Sequence, residues 1–213
     1  RMVAPPPQAA PGDEPRVLQE PGGRVRVRVA LDEHRRVGPR LGRHRADGLG
    51  GADVLKGVAG NDTLVGGLGN DVLQGGDGVD TVAYQGGAAV TVNLGFTTSQ
   101  NTVGAGSDRI TTAENIVGSG AADTLTGNGL ANRIDGQGGN DKINGGAGGD
   151  VLVGGAGTDT VSYATASIGV KVSLALTSTQ NTVGSGSDKL ATFENLTGSP
   201  KNDVLTGNAG KNE

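Results

Sequence analysis

The chain contains no cysteine and no tryptophan, and its aromatic residues are two tyrosines and two phenylalanines in a length of 213. The lack of cysteine excludes a disulfide framework and thiolate metal sites. No apolar run reaches the roughly 18 residues of a membrane-spanning helix, so we expect no membrane span. With so few large side chains, a core has little apolar surface to offset the entropy lost on folding. Stability must therefore draw on something besides the core.

Proline and arginine are scarce after residue 47 and frequent before it. Residues 1–47 hold ten arginines, six acids and seven of the eight prolines, a net charge of +4, whereas residues 48–213 have a net charge of −8. This composition predicts a disordered N-terminal arm with one short strand within residues 25–31. The arm is open to three interpretations: an anionic-surface or nucleic-acid contact, a linker, and GC-rich DNA translated in the wrong frame. We favour the third and expect no nucleic-acid partner.

Glycine, by contrast, is abundant at 41 residues, and much of it follows a period of nine. Four nonapeptides run without a gap over residues 48–83, reading GLGGADVLK, GVAGNDTLV, GGLGNDVLQ and GGDGVDTVA. Each has Gly at positions 1 and 4, Asp at position 6 and an aliphatic residue at position 8. The glycine-rich half predicts a turn, and the second half predicts a short strand with one buried face.

A turn and a strand make half a coil, so two nonapeptides complete one coil of a parallel solenoid. The side chains expected to point inward are those at position 8: Leu55, Leu64, Leu73 and Val82. Aspartates 18 residues apart then lie on the same edge of adjacent coils, about 4.8 Å apart. The resulting pairs are Asp53 with Asp71 and Asp62 with Asp80. Because like charges at this spacing repel, the row calls for a cation, and oxygen ligands favour calcium over zinc, copper or magnesium.

A second run of five nonapeptides covers residues 118–162, and a third begins at residue 198. Position 6 of the second run reads Asp123, Asn132, Asp141, Asp150 and Asp159, and the third run keeps Asp203. Same-edge pairs in the second run are Asp123 with Asp141, Asp141 with Asp159, and Asn132 with Asp150. Asn132 removes one charge, so its site is expected to bind a cation more weakly.

The runs belong to a longer duplication. DTVAY at 80–84 recurs as DTVSY at 159–163, and the segment 99–119 recurs at 179–199. The runs are followed by spacers at 84–117 and 163–197. Alternating polarity predicts one strand per spacer, at 90–94 and 170–174. We expect a second strand over 108–116 and over 188–196.

The nonapeptides resemble the G-G-x-G-x-D-x-U-x unit of the hemolysin-type, repeats-in-toxin (RTX) calcium-binding proteins. Units 66–74, 75–83, 145–153 and 154–162 match it fully. The resemblance implies an all-β fold, a parallel β-roll (a calcium-stapled solenoid) in two or three repeat blocks. It also implies that several Ca²⁺ ions lie between turns two units apart, held by aspartate carboxylates and glycine-turn carbonyls.

The metal ligands that this resemblance implies are the position-6 aspartates and the glycines of the fully matching units. The aspartates are Asp53, Asp62, Asp71, Asp80, Asp123, Asp141, Asp150, Asp159 and Asp203. The glycines are Gly66, Gly67, Gly69, Gly75, Gly76, Gly78, Gly145, Gly146, Gly148, Gly154, Gly155 and Gly157.

The expected organisation is therefore an arm at 1–47, a first block at 48–83, a spacer at 84–117, a second block at 118–162, a duplicate spacer at 163–197 and the start of a third block at 198–213. The chain opens at Arg1 and stops within a repeat at Glu213, so we expect a segment of a longer protein.

The resemblance implies calcium-dependent folding of a secreted bacterial protein, extracellular or associated with the cell surface, with the type I secretion machinery as a partner. Two alternatives concern the whole protein: an accessory C-terminal region of a secreted protease or lipase, and a repeat-built adhesin or surface structural protein. No H-E-x-x-H, G-x-S-x-G or phosphate-loop motif occurs, and His34 and His44 are the only histidines. We expect no catalytic activity in this segment.

Two pairs of spacer residues have alternative roles. Tyr84 and Tyr163 follow the last nonapeptide of each run; a cap on the thin core is favoured over ligand stacking. Glu114 and Glu194 occupy equivalent places in the two spacers, where turn bonding or peripheral calcium binding is favoured over acid–base chemistry.

Overall fold

The computed structural model describes residues 26–29 and 43–212, and the regular structure of these residues is entirely β. No helix of the described residues is long and apolar enough to cross a membrane. The predicted all-β class is confirmed. Most of the arm at 1–47 lies outside the described residues, but a strand is present at 26–29, within the predicted range 25–31.

The described residues form twenty short strands. In chain order they are β1 (Arg26–Val29), β2 (Arg45–Asp47), β3 (Asp53–Ala59), β4 (Thr63–Val65), β5 (Val72–Asp77), β6 (Thr81–Ala83), β7 (Thr91–Asn93), β8 (Gln100–Asn101), β9 (Ser107–Thr111), β10 (Asn115–Val117), β11 (Thr124–Thr126), β12 (Arg133–Asp135), β13 (Lys142–Asn144), β14 (Val151–Val153), β15 (Thr160–Ser162), β16 (Lys171–Ser173), β17 (Gln180–Asn181), β18 (Ser187–Ala191), β19 (Asn195–Thr197) and β20 (Val204–Thr206).

These strands form four sheets, in which all pairings are parallel except β8 with β9 and β17 with β18. An eight-stranded sheet has the order β17-β18-β14-β12-β10-β6-β4-β2. The remaining sheets have the orders β1-β3-β5-β9-β8, β7-β11-β13-β15-β19 and β16-β20.

Successive nonapeptides join different sheets in alternation. The strands β4 and β6 pair in the eight-stranded sheet with Thr63 opposite Thr81, while β3 and β5 pair in another sheet with Leu55 opposite Leu73. Both pairings join residues 18 apart in the chain. Two nonapeptides therefore complete one coil, as the sequence predicts.

A single line of aliphatic side chains forms the core between the sheets. The position-8 residues predicted to point inward, Leu55, Leu64, Leu73 and Val82, are at most 1% exposed. The line continues through the first spacer and the second block with Ile116, Leu125, Ile134, Ile143, Leu152 and Val161, all of them fully buried. Most of these strands bury only this central residue, so the core is about one side chain deep; β4, β6 and β15 also bury the residue that follows it.

The spacers are integrated into the coil rather than attached to it. The predicted strands at 90–94 and 170–174 are present as β7 and β16. The predicted single strand over 108–116 is wrong, because the chain bends at Thr112 (φ 50°) and forms β9 and β10 instead. The corresponding bend in the second spacer is at Thr192 (φ 55°), between β18 and β19. In each bend the threonine hydroxyl accepts a backbone hydrogen bond from the neighbouring coil, Gly76 N–H in the first and Gly155 N–H in the second.

The two duplicated units are related by a half turn of the roll. In the first unit β9 stacks on β5, and both lie opposite the eight-stranded sheet. Their counterparts β18 and β14 pair within the eight-stranded sheet itself. The duplication therefore presents equivalent residues on opposite faces of the molecule.

The N-terminal side of the roll begins before the first predicted nonapeptide. The strand β2 pairs with β4, with Arg45 opposite Thr63, again 18 residues apart. His44 occupies the position-6 place of this coil, and its N–H donates to Asp62 Oδ1 at 3.0 Å. The edge that carries Asp62 thus extends to residue 44, where a histidine takes the place of the aspartate.

Truncating one core side chain tests the one-residue-deep core. Ile134→Ala should lower the free energy of unfolding by about 2–4 kcal/mol, because the fully buried side chain leaves a cavity that neighbouring coils cannot fill. Urea unfolding followed by circular dichroism measures the change. Leu130→Ala, at a side chain that is 59% exposed four residues earlier, is the control and should change stability by less than about 0.5 kcal/mol. Equal effects of the two variants would contradict the assigned core.

Candidate metal centre

Buried carboxylates line both edges of the roll, each linked to the next coil by a backbone hydrogen bond. Asp53 N–H donates to Asp71 Oδ1, and Asp62 N–H donates to Asp80 Oδ1, both at 2.8 Å. In the second block the same bonds join Asp123 to Asp141 and Asp141 to Asp159. These position-6 side chains are at most 2% exposed. The predicted same-edge pairs are therefore brought together, and the N–H of the first aspartate in each pair holds Oδ1 of the second.

The second carboxylate oxygen is buried without a hydrogen-bond partner in six of these aspartates. The atoms are Oδ2 of Asp62, Asp71, Asp80, Asp141, Asp150 and Asp159. An unpaired buried polar atom costs about 1–3 kcal/mol, and a charged one costs more. Each of these oxygens is consequently a strong point of attraction for a cation.

Glycine at position 1 keeps space open beside these oxygens. A Cβ on Gly66 would lie 2.5 Å from Asp71 Oδ2, and a Cβ on Gly145 would overlap Asp150 Oδ2. The glycines at position 4 have positive φ and stack on the carbonyl of the preceding coil, as Gly69 (φ 129°) does on Gly51. Ten of the twelve predicted glycines lie in the turns that lead into the buried aspartates, whereas Gly75 and Gly76 belong to strand β5.

Burial raises the pKa of these carboxyl groups. It raises the pKa of Asp71 and of Asp141 to about 6 and that of Asp150 to about 7, although a backbone hydrogen bond to each carboxylate partly opposes the rise. Burial likewise raises the pKa of Asp80 and of Asp159, with the neighbouring Asp62 or Glu194 adding repulsion. A bound cation would remove this penalty by restoring a counter-charge.

Sequence reasoning missed two aspartates that continue the edges into the spacers. Asp108 Oδ1 accepts the N–H of Asp71 at 2.9 Å, and Asp188 Oδ1 accepts the N–H of Asp150 at 3.0 Å. The signal was available, because VGAGSDRIT at 103–111 and VGSGSDKLA at 183–191 follow the nonapeptide except for Val at position 1. Gly106 stacks on Gly69 as a position-4 glycine does. Each spacer thus contains a concealed repeat.

Protein groups satisfy both oxygens of these spacer aspartates. Asp108 Oδ2 accepts the hydroxyls of Thr102 (3.1 Å) and Tyr84 (3.4 Å). Asp188 Oδ2 accepts those of Thr182 (3.1 Å) and Tyr163 (2.9 Å). The favoured role of the tyrosines as caps at the end of the core is wrong, because β9 and β10 carry the core beyond Tyr84. Both rings are buried within the core, each with its hydroxyl on a carboxylate.

Glu114 and Glu194 take the aspartate place on the opposite edge. Glu114 Oε2 accepts the N–H of Asp80, and Glu194 Oε2 accepts that of Asp159, both at 2.8 Å. These bonds join residues 34 and 35 apart in the chain. Local turn bonding, one of the two favoured roles, is therefore wrong, whereas peripheral calcium binding stays a prediction.

Three predicted position-6 side chains differ from the rest. Asp123 accepts hydrogen bonds from the N–H and hydroxyl of Ser119, and the Ser199 hydroxyl hydrogen-bonds to Asp203 and lowers its pKa. The amide of Asn132 donates to the Glu114 carbonyl at 2.7 Å. These repeats satisfy their polar side chains with protein donors and acceptors, so the demand for a cation is weaker there.

The available ligands are oxygens, and side chains alone do not complete a site. Within residues 26–29 and 43–212, no three histidine, aspartate or glutamate side chains converge on one point. A bound ion would need backbone oxygens of the glycine turns beside each carboxylate. Carboxylate and carbonyl oxygens are the ligands of hard cations, and the flexible coordination of calcium suits them better than the strict octahedron of magnesium.

The fold and its edges thus define a parallel β-roll with carboxylate-lined glycine turns. The family model of the RTX calcium-binding nonapeptide repeat matches the chain in four copies, over residues 47–82, 126–161 and 190–213. The chain therefore contains calcium-binding nonapeptide repeats of the RTX type. No curated protein matches the chain.

The raised carboxyl pKa values predict how pH affects the metal-free roll. Folded Asp71, Asp141 and Asp150 titrate near pH 6–7 and unfolded aspartate near 3.8, so the folded state holds more protons between these values. Their contribution to stability is complete below pH 3.8 and is lost as the pH rises through 6–7. In chelator, the folded fraction given by circular dichroism should therefore be higher at pH 5 than at pH 8, where the metal-free chain is largely unfolded. A folded fraction that is equal or higher at pH 8 would contradict the buried, unpaired carboxylates.

Proposed function

We propose that this segment binds several calcium ions at its turns and that binding drives its folding. The observation that carries the proposal is the row of six buried Oδ2 atoms without partners, on Asp62, Asp71, Asp80, Asp141, Asp150 and Asp159. Membership of a calcium-binding repeat family supplies the identity of the ion.

The proposed ligands are these aspartates together with carbonyl oxygens of the glycine turns. The backbone N–H of the neighbouring coil holds Oδ1 of each aspartate, which orients Oδ2 towards its own turn. The ion would supply positive charge to the carboxylate edge and so link the coils that contribute to it. Asp53 is a proposed ligand at the N-terminal end of the same edge, while Asp123 and Asp203 remain predicted ligands with protein partners of their own.

Coupling between binding and folding follows from the thin core. A core one side chain deep buries little apolar surface, whereas the turns place carboxylates together at an electrostatic cost. Calcium bound only by the folded state lowers its free energy in proportion to the logarithm of calcium concentration. The chain is then unfolded where calcium is scarce and folded where it is plentiful.

This coupling supports a role in secretion. An unfolded chain suits passage through a type I export channel from a low-calcium cytosol, and calcium outside the cell then folds it. We infer an extracellular location for the roll, in a longer protein. The whole protein would be a secreted hydrolase with this roll as an accessory region, or a repeat-built surface protein. Binding, rather than catalysis, is the proposed activity of the roll itself.

A calcium titration of the chain tests the coupling. Circular dichroism in chelator should give the spectrum of a largely unfolded chain, and added calcium should produce a β spectrum with a steep dependence on concentration. Magnesium at equal concentration is the control and should be far less effective, because it gives up its water reluctantly. A β spectrum in chelator that calcium leaves unchanged would overturn the proposal.

Removing one carboxylate charge tests the assigned ligands. Asp71→Asn retains the shape of the side chain and an acceptor for Asp53 N–H, but it replaces the unpaired, charged oxygen. The calcium concentration at half-folding should rise about tenfold, as expected for the loss of one ionic ligand.

Asp77→Asn is the matched control. Asp77 ends strand β5 of the same block and carries the same charge, but it is exposed to solvent. This variant should shift the midpoint by less than about twofold, since an exposed charge contributes little. If the two variants shifted the midpoint equally, net charge rather than ligation would explain the effect.

A further inference from the structure

A groove is lined mainly by residues of the first spacer. It has a volume of about 350 Å³ and lies between the outer face of β7 and the loop that leads to β8. Its lining includes Thr91, Asn93, Phe96, Thr98, Ser99 and Thr126. No acidic or basic side chain lines it.

The groove combines an exposed aromatic ring with free hydroxyl groups. Phe96 is 52% exposed, in a chain with only two phenylalanines. Within the described residues, the hydroxyls of Thr91, Thr98, Ser99 and Thr126 have no protein hydrogen-bond partner. Each hydroxyl can both donate and accept a hydrogen bond.

Hydrogen bonds hold the loop in place before any ligand arrives. The Gln100 side chain accepts the N–H of Asn93 and donates to its carbonyl, at 2.7 and 3.0 Å. Leu94 N–H donates to the Thr126 carbonyl, and Arg109 Nε donates to the Thr97 carbonyl. A preorganised loop loses less entropy on binding.

We propose that this groove binds a neutral linear oligosaccharide. A pyranose ring has an apolar C–H face that can pack on Phe96 and equatorial hydroxyls that can exchange hydrogen bonds with the threonine and serine hydroxyls. A phosphate or carboxylate ligand would need a cation that the lining lacks. A lipid would need an apolar groove, and most of this lining is polar.

The sheet beyond the groove extends the polar surface along the roll. Strands β7, β11 and β13 place Thr91, Thr124 and Lys142 in one outward row and Asn93, Thr126 and Asn144 in the next. Neighbouring strands are about 4.8 Å apart, so hydroxyl and amide groups recur at short regular intervals. This continuity is why the ligand is proposed to be a chain of sugars rather than a single one.

The duplicated spacer supplies an internal comparison. In the second spacer, Lys171 replaces Thr91 and Leu176 replaces Phe96. The side chain of Gln180 bonds to the N–H and the carbonyl of Ser173, as that of Gln100 does to Asn93. The second spacer therefore retains the fold of the loop but has a cation and no aromatic ring. We assign the binding site to the first spacer alone.

The test is an NMR titration of the calcium-loaded chain with cellohexaose, maltohexaose and xylohexaose. At least one should bind with a dissociation constant of about 1 mM or below, with shifts confined to residues 91–101 and to β11. Phe96→Ala and Phe96→Leu should each weaken binding at least about tenfold, and Leu176→Ala should leave it unchanged. The calcium-loaded chain is folded whether or not folding requires calcium. Failure of this titration would therefore leave the calcium proposal unaffected.

Three outcomes would overturn the assignment. The first is that none of the three sugars saturates a shift below about 10 mM. The second is that Phe96→Leu binds like the unaltered chain, since this variant keeps an apolar side chain and preserves the loop. The third is that hexagalacturonate, an anionic sugar chain, binds more tightly than the neutral ones in a salt-dependent manner.

Discussion

The rest of this structure depends on one constraint, the burial of aspartate carboxylates along both edges of the roll. Six aspartate oxygens are buried without partners. At about 1–3 kcal/mol each, their cost is comparable with the whole stability of a typical domain, about 5–15 kcal/mol. A core one side chain deep has no reserve to absorb such a cost. The side chains that would destabilise a metal-free roll are therefore the ones that the proposed calcium ions would stabilise.

Much of the fold could be read from the sequence because the repeat is short and strict. The repeat has a period of nine, with Gly at position 4 and an aliphatic residue such as Leu64 or Leu73 at position 8. This pattern is sufficient to predict the half coil, the inward side chains and the 18-residue register. The aspartate pairs followed from the same arithmetic. Local pattern and tertiary structure agree here because each repeat contacts only its neighbours.

The spacers were harder to predict because their contacts are with distant coils. Asp108 was overlooked because Val103 replaces the first glycine of its repeat, although Gly106 and Ile110 keep the rest of the pattern. The bend at Thr112 was missed because no glycine or proline marks it in the sequence. Only the coil below, where Gly76 N–H meets the Thr112 hydroxyl, fixes the chain direction at that point. The tyrosine hydroxyls that bond to Asp108 and Asp188 carry no sequence signal of their own.

The spacers also separate two properties of the roll. On the edges of the roll, the first spacer continues the row of carboxylates with Asp108 and Glu114. Protein hydroxyls already bond to Asp108, so this part of the edge has less need of a metal ion. On the face they add loops that differ between the duplicated units. The carboxylate edges are thus common to the whole roll, whereas the loops that differ belong to individual spacers.

The most direct measurement is a crystal structure of the calcium-soaked chain with calcium located by its anomalous scattering. Anomalous peaks are expected within coordination distance, about 2.3–2.6 Å, of the Oδ2 atoms of Asp71, Asp141 and Asp150. Glycine-turn carbonyls should complete the coordination of each ion. A well-ordered roll in calcium, with water or no density at these oxygens and no anomalous peak beside them, would contradict it.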